Sequence, residues 1–154
     1  MDVYEKMKEL GITLPKAPEK GGSYSPAKRF GSGLVYISGC GPAIDEPVNG
    51  RMGRDFTVEE GKGFARNSML NVLAVLEREI GDLRKVKNVV KILTFVESSE
   101  DFLDQPAVAN GGSGLLEELW GSEMGLPARS AIGVYVLPGN IPVETEAIFE
   151  VEND

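Results

Sequence analysis

The sequence predicts one α+β domain built around a mixed β-sheet, and three observations support this prediction. The chain has 154 residues, of which 42% are apolar and 26% are charged, a size and composition typical of one domain with its own hydrophobic core. Segments with strand and helix patterns alternate along the chain, which favours parallel pairing. The last strand follows a short turn and should therefore return antiparallel.

The N-terminal third is predicted to hold a short helix, a loop and one strand. Asp2 fits a helix cap and Gly11 a stop for a helix over residues 2–11. Residues 34–38, Leu-Val-Tyr-Ile-Ser, have the composition of a strand, and residues 43–54 that of a turn-rich connection. An extended loop is expected over residues 13–26, which contain Pro15, Pro18, Gly21, Gly22 and Pro26.

A long helix over about residues 58–80 has the clearest signals in the chain. Thr57 and Glu60 form a capping-box pattern at its start, and Gly81 ends it. Apolar residues recur at helical spacing in between, namely Phe64, Met69, Leu70, Leu73 and Leu76.

The C-terminal half is predicted to alternate strand, helix and two further strands. Residues 86–96 are predicted to form a buried strand. A helical region then begins at Ser99 or Asp101 and runs to about Trp120, with Pro106 near its start. Its middle is weakened by Gly111, Gly112 and Gly114. Strands over residues 129–136 and 143–151 follow, joined by a turn over Leu137 to Pro142.

Charge and residue usage exclude several classes of function. The net charge of −8 lacks the basic field of a nucleic-acid binder. The only cysteine, Cys40, cannot form an internal disulfide, which fits a reducing compartment. We expect a cytoplasmic protein, because residues 1–11 lack a signal-peptide apolar region and no apolar run is long enough for a membrane span. The absence of histidine excludes Ser-His-Asp triads and histidine-ligated metal sites.

Arg129 is the most informative candidate ligand-binding residue. On a strand it shares a face with Ala131 and Gly133, because alternate residues point the same way. Two small residues beside a guanidinium leave room for a small carboxylate, which the planar fork of arginine can hold through two parallel hydrogen bonds. The alternative is a surface arginine paired with an acidic residue.

Glu144 and Glu146 share one face of the last strand. A carboxylate on a partly buried strand can have a raised pKa and act as a general base. The alternative is a solvated strand face.

Four further polar residues could line a site, although each also fits a structural role. They are Tyr24 in the early loop, Ser38 at the end of its strand, Asn110 before the glycine-rich stretch, and Cys40. Cys40 lacks an identifiable base nearby, which favours a small buried residue over a nucleophile. The segment 110–114 is not a phosphate loop, because it lacks the Gly-Lys-Ser/Thr ending.

Several motifs, in order along the chain, resemble the RidA/YjgF family between about residues 24 and 151. They are Ser38-Gly39 with Pro42, Val90–Val96 followed by Asp101-Phe102, Pro127-Ala128-Arg129-Ser130, Leu137-Pro138, and Val143-Glu144-Thr145-Glu146-Ala147-Ile148. Residues 1–20, an N-terminal extension of this single domain, and the segment 104–111 resemble a divergent branch, called L-PSP endoribonuclease or chorismate-mutase-like.

The resemblance implies a chorismate-mutase-like fold, with a mixed sheet covered on one face by two helices, assembled as a homotrimer with ligand clefts between subunits. Deaminase members hydrolyse 2-aminoacrylate-type enamines, through their imines, to 2-keto acids and ammonia. Transferred to this chain, the resemblance places the carboxylate-binding arginine at Arg129 and the water-orienting glutamate at Glu144. It places supporting positions at Tyr24, Ser38 and Asn110.

Three departures from the family pattern affect the expected site, namely Ala131, Cys40 and the glycine-rich helix after Asn110, which is expected to reshape the cleft. Ala131 replaces a cysteine whose backbone N–H is its expected contribution to ligand binding, so alanine can still serve there. Cys40 stands where a glutamine is common. The implied chemistry needs no metal or cofactor, because a protonated imine is already electrophilic and hydrolysis requires a held carboxylate and an aimed water.

Three functions remain as hypotheses. The first is an enamine/imine deaminase that uses Arg129 and Glu144. The second is a non-catalytic protein that binds a 2-keto acid or a related small carboxylate. The third, a ribonuclease, is disfavoured because an acidic chain without histidine suits neither phosphate attraction nor the usual acid–base pair.

The strand assignments predict that Arg129 and Glu144 meet only across a subunit boundary. Each residue opens its strand, and the turn between the strands reverses the chain. An intrachain gap of roughly 20–25 Å follows from about 3.3 Å per residue. One small ligand could then contact both residues only if a second subunit supplied one of them.

Overall fold

The computed structural model describes residues 1–154, which form three helices and five strands in one sheet. The strand order is β1-β2-β5-β3-β4; β3 and β4 are parallel and the other neighbours are antiparallel. The predicted parallel pairing and the antiparallel return of the last strand are confirmed. The elements are α1 (Val3–Glu9), β1 (Ala27–Phe30), β2 (Leu34–Cys40), α2 (Val58–Ile80), β3 (Val86–Glu97), α3 (Gln105–Gly125), β4 (Ala128–Val134) and β5 (Val143–Val151).

The sheet buries one face against α2 and α3. Along β5, Val143, Thr145, Ala147 and Phe149 are buried, and the residues between them are half-buried. This alternation is that of a strand with one face on the core. The opposite face has no helix over it. The predicted cover of two helices on one face is therefore confirmed.

Local capping signals fix the ends of the helices. Thr57 and Glu60 form the reciprocal capping box of α2, and Gly81 ends it in the left-handed region at φ 83°. Asp2 caps α1 by accepting from the backbone of Tyr4 and Glu5. None of the helices has the length and hydropathy required to cross a bilayer.

The extension carrying α1 packs onto the main core. Val3 and Met7 are buried in the same apolar cluster as α2 and the sheet. The Tyr4 hydroxyl donates to Glu77 at 2.7 Å and accepts from the Leu83 backbone N–H at 2.9 Å. Burial is the largest of the causes that raise the pKa of Tyr4 to about 12.

The structure differs from the sequence prediction at three elements. Strand β1 was not predicted, because it is a short, largely exposed edge strand without apolar alternation. Helix α3 begins at Gln105 rather than at Ser99 or Asp101, with Pro106 in its first turn, and extends through a kink at Gly121. Strand β4 ends at Val134 and not at residue 136.

The glycine-rich middle of α3 is a contact surface and not a weak point. A Cβ atom at Gly111 would overlap the Lys62 backbone, and Gly112 lies beside Ala65 and Met69. The glycines therefore let α3 approach α2 closely, and the helix continues through them.

Candidate functional site

Arg129 points toward the face that the helices cover. It lies opposite Ile92 on β3, and directly paired residues point to the same side of a sheet. Its Nη1 donates to Asn110 Oδ1 at 2.8 Å and to Ser113 Oγ at 3.3 Å, both on α3. No carboxylate forms a salt bridge with Arg129, so the alternative of an acid-paired surface arginine does not apply within this chain.

This arrangement leaves part of the guanidinium free to bind a ligand. Neutral acceptors orient one nitrogen, while Nε and Nη2 of Arg129 make no hydrogen bond. Strand β4 is an edge of the sheet, so a carboxylate can approach the fork from outside the subunit.

The space predicted beside Arg129 is narrower than the sequence suggests. Ala131 follows Arg129 on the same face, opposite Thr94. At Gly133, a Cβ atom would lie 2.7 Å from Gln105 Nε2. The Gln105 amide therefore occupies the place above Gly133, and the small-residue gap is limited to Ala131.

Glu144 lies on the opposite, uncovered face of the sheet, opposite Phe95 on β3. A Cβ atom at Gly39 would lie only 2.9 Å from Glu144 Cδ, so the glycine permits the carboxylate to pack against β2. Burial, together with the nearby charge of Glu146, raises the pKa of Glu144. A raised pKa makes this carboxylate a better proton acceptor near neutral pH.

A cavity of about 340 Å³, here called the Ser38 cavity, adjoins Glu144 through Gly39. Two residues assigned by the resemblance, Tyr24 and Ser38, lie together in its wall. The remaining lining comes from the loop 18–21, Pro26, Gly39–Pro42, Asn71 and Val75.

Hydrogen bonds fix two parts of the lining of the Ser38 cavity, the early loop and the segment Cys40-Gly41 that follows Ser38 and Gly39. Ser38 Oγ donates to the Ser25 carbonyl at 2.7 Å, and the Tyr24 hydroxyl accepts from the Gly21 N–H at 3.0 Å. From α2, Ser68 Oγ donates to the Cys40 carbonyl at 2.7 Å and Asn71 Nδ2 to the Gly41 carbonyl at 3.0 Å.

Cys40 is a buried thiol. Burial, followed by the charge of Glu144, raises its pKa to about 11. The neutral thiol is a poor nucleophile at physiological pH, which agrees with the interpretation of Cys40 as a small buried residue.

Within one chain, Arg129 and Glu144 cannot share a small ligand. Their partners on β3, Ile92 and Phe95, are three residues apart, and β3 separates the two strands. The Cα atoms of Arg129 and Glu144 are separated by about 10 Å along the strands and about 10 Å across them. These perpendicular components combine to a distance of roughly 14 Å. The expected gap of 20–25 Å was too long, because Glu144 lies level with Ile132, only three residues beyond Arg129. The two side chains also point to opposite faces.

Sequence reasoning missed several residues that build these two groups. Ser113 lies three residues after Asn110 on α3, a spacing that places both on one helix face. The same spacing relates Ser68 and Asn71 on α2. The loop 18–21 also lines the Ser38 cavity, but its sequence indicates only a turn and gives no sign of a binding site. No group of three or more His, Cys, Asp or Glu side chains is placed to hold a metal ion.

Comparisons with known proteins identify the family. The family described as "YjgF/chorismate mutase-like, putative endoribonuclease" matches residues 5–144. Protein TCP17 from Trypanosoma cruzi is 39% identical over 153 residues, which cover 98% of this chain and 95% of that protein. A 2-iminobutanoate/2-iminopropanoate deaminase from Dermatophagoides farinae is 32% identical over 144 residues, covering 92% and 95%.

A solved structure agrees with this assignment. The protein Atu1372 from Agrobacterium tumefaciens, whose function is described as unknown, superposes with a TM-score of 0.87 at 36% identity, covering 97% of this chain and 94% of that one. Its fold matches the sheet and helices described above. The chain therefore belongs to the YjgF/chorismate-mutase-like family, which includes the RidA proteins, and has that family's α+β fold.

Proposed function

We propose that this protein hydrolyses small enamine and imine intermediates of the 2-aminoacrylate type to 2-keto acids and ammonia, in a cleft between subunits of a homotrimer. The observation that carries the proposal is the division of polar groups into two half-sites. Arg129 with Asn110 lies on the helix-covered face at the β4 edge, and Glu144 lies on the opposite face, on the central strand β5, packed against Gly39 of the Ser38 cavity. Head-to-tail contacts in a cyclic assembly bring such opposite sides of neighbouring subunits together.

The first half-site would bind the substrate carboxylate. Arg129 is oriented by neutral partners and has two nitrogens without hydrogen bonds. A bidentate pair of hydrogen bonds would fix both the position and the plane of the carboxylate. The backbone N–H of Ala131, on the same strand, would supply a further donor.

The second half-site would activate water. Glu144 of the neighbouring subunit accepts a proton from a water molecule, while the water oxygen forms a bond to C2 of the protonated imine. Glu144 then gives that proton to the nitrogen; as the C–N bond breaks, Glu144 takes the hydroxyl proton, the carbonyl of the 2-keto acid forms, and the departing ammonia carries the proton away as ammonium. The raised pKa of Glu144 suits both the acceptance and the return of that proton.

Similarity supports this activity over the alternatives. A relative that is 32% identical over 144 residues has the name of an imine deaminase. The polar groups of both half-sites are those that hydrolysis of a carboxylate-bearing imine requires.

The direct test measures ammonia release from freshly generated 2-aminoacrylate. We expect acceleration by the protein, and loss of most of it in Glu144→Ala with nearly unchanged 2-keto acid binding, because a water-positioning base acts mainly in the transition state. Glu150→Ala, on the same face of β5, is the matched control and should retain activity. If the wild type binds pyruvate but does not accelerate the reaction, the protein is a binding module.

Mixed assemblies test whether the cleft is shared. Arg129→Ala and Glu144→Ala subunits, each inactive alone, should partly recover activity after co-refolding, because some interfaces then carry both native residues. As the control, each variant is refolded alone by the same procedure and should stay inactive. Absence of recovery in verified mixed assemblies would place both residues outside a common site.

A further inference from the structure

A second cavity lies at the carboxyl ends of the parallel strands β3 and β4, apart from both half-sites. Its volume is about 550 Å³, and it is here called the Arg51 cavity. Its lining comprises Arg51, Arg54, Ser98–Glu100, Phe102, Gln105 and Gly133–Tyr135. The crevice outside the carboxyl ends of parallel strands is where open α/β sheets commonly bind ligands. The proposed deaminase reaction uses none of these residues.

Arg51 is held in place without a carboxylate partner. Its Nη1 donates to the backbone carbonyls of Ser98 and Tyr135. The guanidinium stacks over the Tyr135 ring, 4.7 Å from the ring centre. The Arg51 guanidinium forms no salt bridge and its remaining N–H groups make no hydrogen bond, whereas the Arg51 backbone N–H donates to Asp55 Oδ2 at 2.7 Å. The cavity thus contains a pre-oriented, half-buried cation with an unused face.

The other charged residues of the cavity limit the charge of its ligand. Arg54 is already paired with Asp55, at 3.1 Å, so Arg51 is the one cation available. Glu100 lines the cavity and forms no ion pair. A dianion such as phosphate would need a second free cation and would be repelled by Glu100. A monoanion satisfies Arg51 alone.

Neutral groups shape the rest of the cavity wall, and the donors of Ser98 and Gln105 are already used: Ser98 Oγ donates to the Val96 carbonyl and Gln105 Nε2 also donates to the Phe102 carbonyl. Ser98 and Gln105 are already hydrogen-bonded to each other through Gln105 Nε2 at 3.2 Å, which fixes one wall. Ser99 lies in the same wall, and its hydroxyl donates to Asp101 Oδ1 at 2.9 Å, so the Arg51 guanidinium is the donor that the cavity offers to an anion. The ring of Tyr135 and the side chain of Phe102 supply apolar surface for a short carbon chain.

We propose that the Arg51 cavity binds a small monocarboxylate as a second ligand, independently of the site proposed at Arg129. The test uses the Arg129→Ala protein, so that binding at Arg129 cannot contribute. Pyruvate and inorganic phosphate are titrated separately while backbone amide signals are followed by NMR. We expect saturable, millimolar shifts for pyruvate at Ser98, Ser99 and Tyr135, and weaker binding of phosphate. Tighter binding of phosphate, or no saturable shift at these residues, would overturn the proposal.

Substitutions of the lining residues test the roles of the charges. In the same background, Arg51→Gln should weaken pyruvate binding at least tenfold, because the only free cation is lost. Arg66→Gln, at a paired arginine of α2 outside the cavity, is the matched control and should change affinity less than twofold, because its guanidinium bonds to Glu118 at 3.1 Å. Glu100→Gln, at an exposed residue that leaves folding intact, should strengthen binding a few-fold. Unchanged affinity in Arg51→Gln, or weaker binding in Glu100→Gln, would contradict the proposal.

Discussion

The surroundings of Arg129 orient its side chain, whereas the surroundings of Glu144 raise the pKa of its carboxyl group. Arg129 is half-buried and held by an amide and a hydroxyl oxygen, which orient the guanidinium without neutralising it. Glu144 is half-buried beside Gly39 and near Glu146, so its charged form is disfavoured. These surroundings suit the roles proposed above, anion binding for Arg129 and proton acceptance for Glu144.

Replacing Arg129 by lysine should weaken 2-keto acid binding. Lysine retains the charge but cannot reproduce the planar fork, and it loses the paired contacts with the carboxylate. We expect a loss of about 1.5–3 kcal/mol in binding free energy, the range for hydrogen bonds to charged groups. Titration calorimetry with pyruvate measures this. Unchanged affinity in a folded variant would make Arg129 a structural residue.

Glu144→Gln should raise stability at neutral pH. The folded-state pKa of Glu144 is raised, so the group's contribution to stability is fully present below its unfolded pKa and is lost as pH rises through the folded value. Glutamine has no ionised form and avoids that loss. We expect a higher Tm for the variant at pH 7 than for the wild type, and convergence of the two Tm values below about pH 4, near the ordinary glutamate pKa. A difference that does not depend on pH would contradict this assignment.

At the scale of elements, the turn between β4 and β5 depends on a buried carboxylate. Glu97, at the end of β3, is fully buried and accepts from the Leu137 backbone N–H at 2.7 Å. With its amide group turned to satisfy the hydrogen bonds, Asn140 donates to both carboxylate oxygens. Asn140 itself lies in the left-handed region at φ 56°. Glu97 thus fixes the turn that joins the strands of Arg129 and Glu144.

Glu97→Ala should destabilise the fold. The substitution leaves the buried Leu137 N–H without an acceptor, which costs about 1–3 kcal/mol. Glu97→Gln retains an acceptor oxygen and should be less destabilising. Urea unfolding followed by circular dichroism gives the free energy of unfolding. Glu123→Ala, at an exposed position of α3 without ion pairs, is the control and should stay within about 0.5 kcal/mol of the wild type. Equal stability of Glu97→Ala and the control would remove this role from Glu97.

The whole molecule leaves one sheet face without a cover. That face carries the exposed side chains of Tyr36 and Ile132, together with half-buried Leu93, Phe95 and Ile148. An apolar sheet face needs a partner layer, and the second helix layer of a sandwich is missing here. Other copies of this chain would provide the cover in a cyclic assembly.

We expect a homotrimer in solution, with three times the chain mass of 16.6 kDa. Light scattering coupled to size-exclusion chromatography at micromolar concentration measures the mass. Ile132→Glu, at the exposed face, should weaken the assembly because a charge would have to be desolvated there. Ser122→Glu, at an exposed position on the helix side, is the control. A monomeric wild type would contradict both the assembly and the shared cleft.

Local signals in the sequence determined several elements. The bounds of α2 could be predicted because Thr57, Glu60 and Gly81 act within one turn of the helix ends. The bounds of β5 could be predicted from alternation over residues 143–151. Strand β1 could not, because its pairing with β2 provides the stability that its own residues do not signal. The start of α3 was missed for a related reason: Ser99 bonds to Asp101 and to Met52 in a turn, and that turn competes with the helix.

For the candidate site, too, some features could be predicted from the sequence and others required the tertiary structure. The sequence alone could nominate Arg129 and Glu144 as candidates by residue type, strand alternation and motif resemblance. Only the tertiary structure decided that β5 inserts between β2 and β3, that the two side chains point to opposite faces, and that Tyr24 and Ser38 line one cavity beside Gly39. Capping and alternation are set by neighbours a few residues away. Strand order and register are set by which distant segments bury the most apolar surface together, and that choice is made by the whole chain.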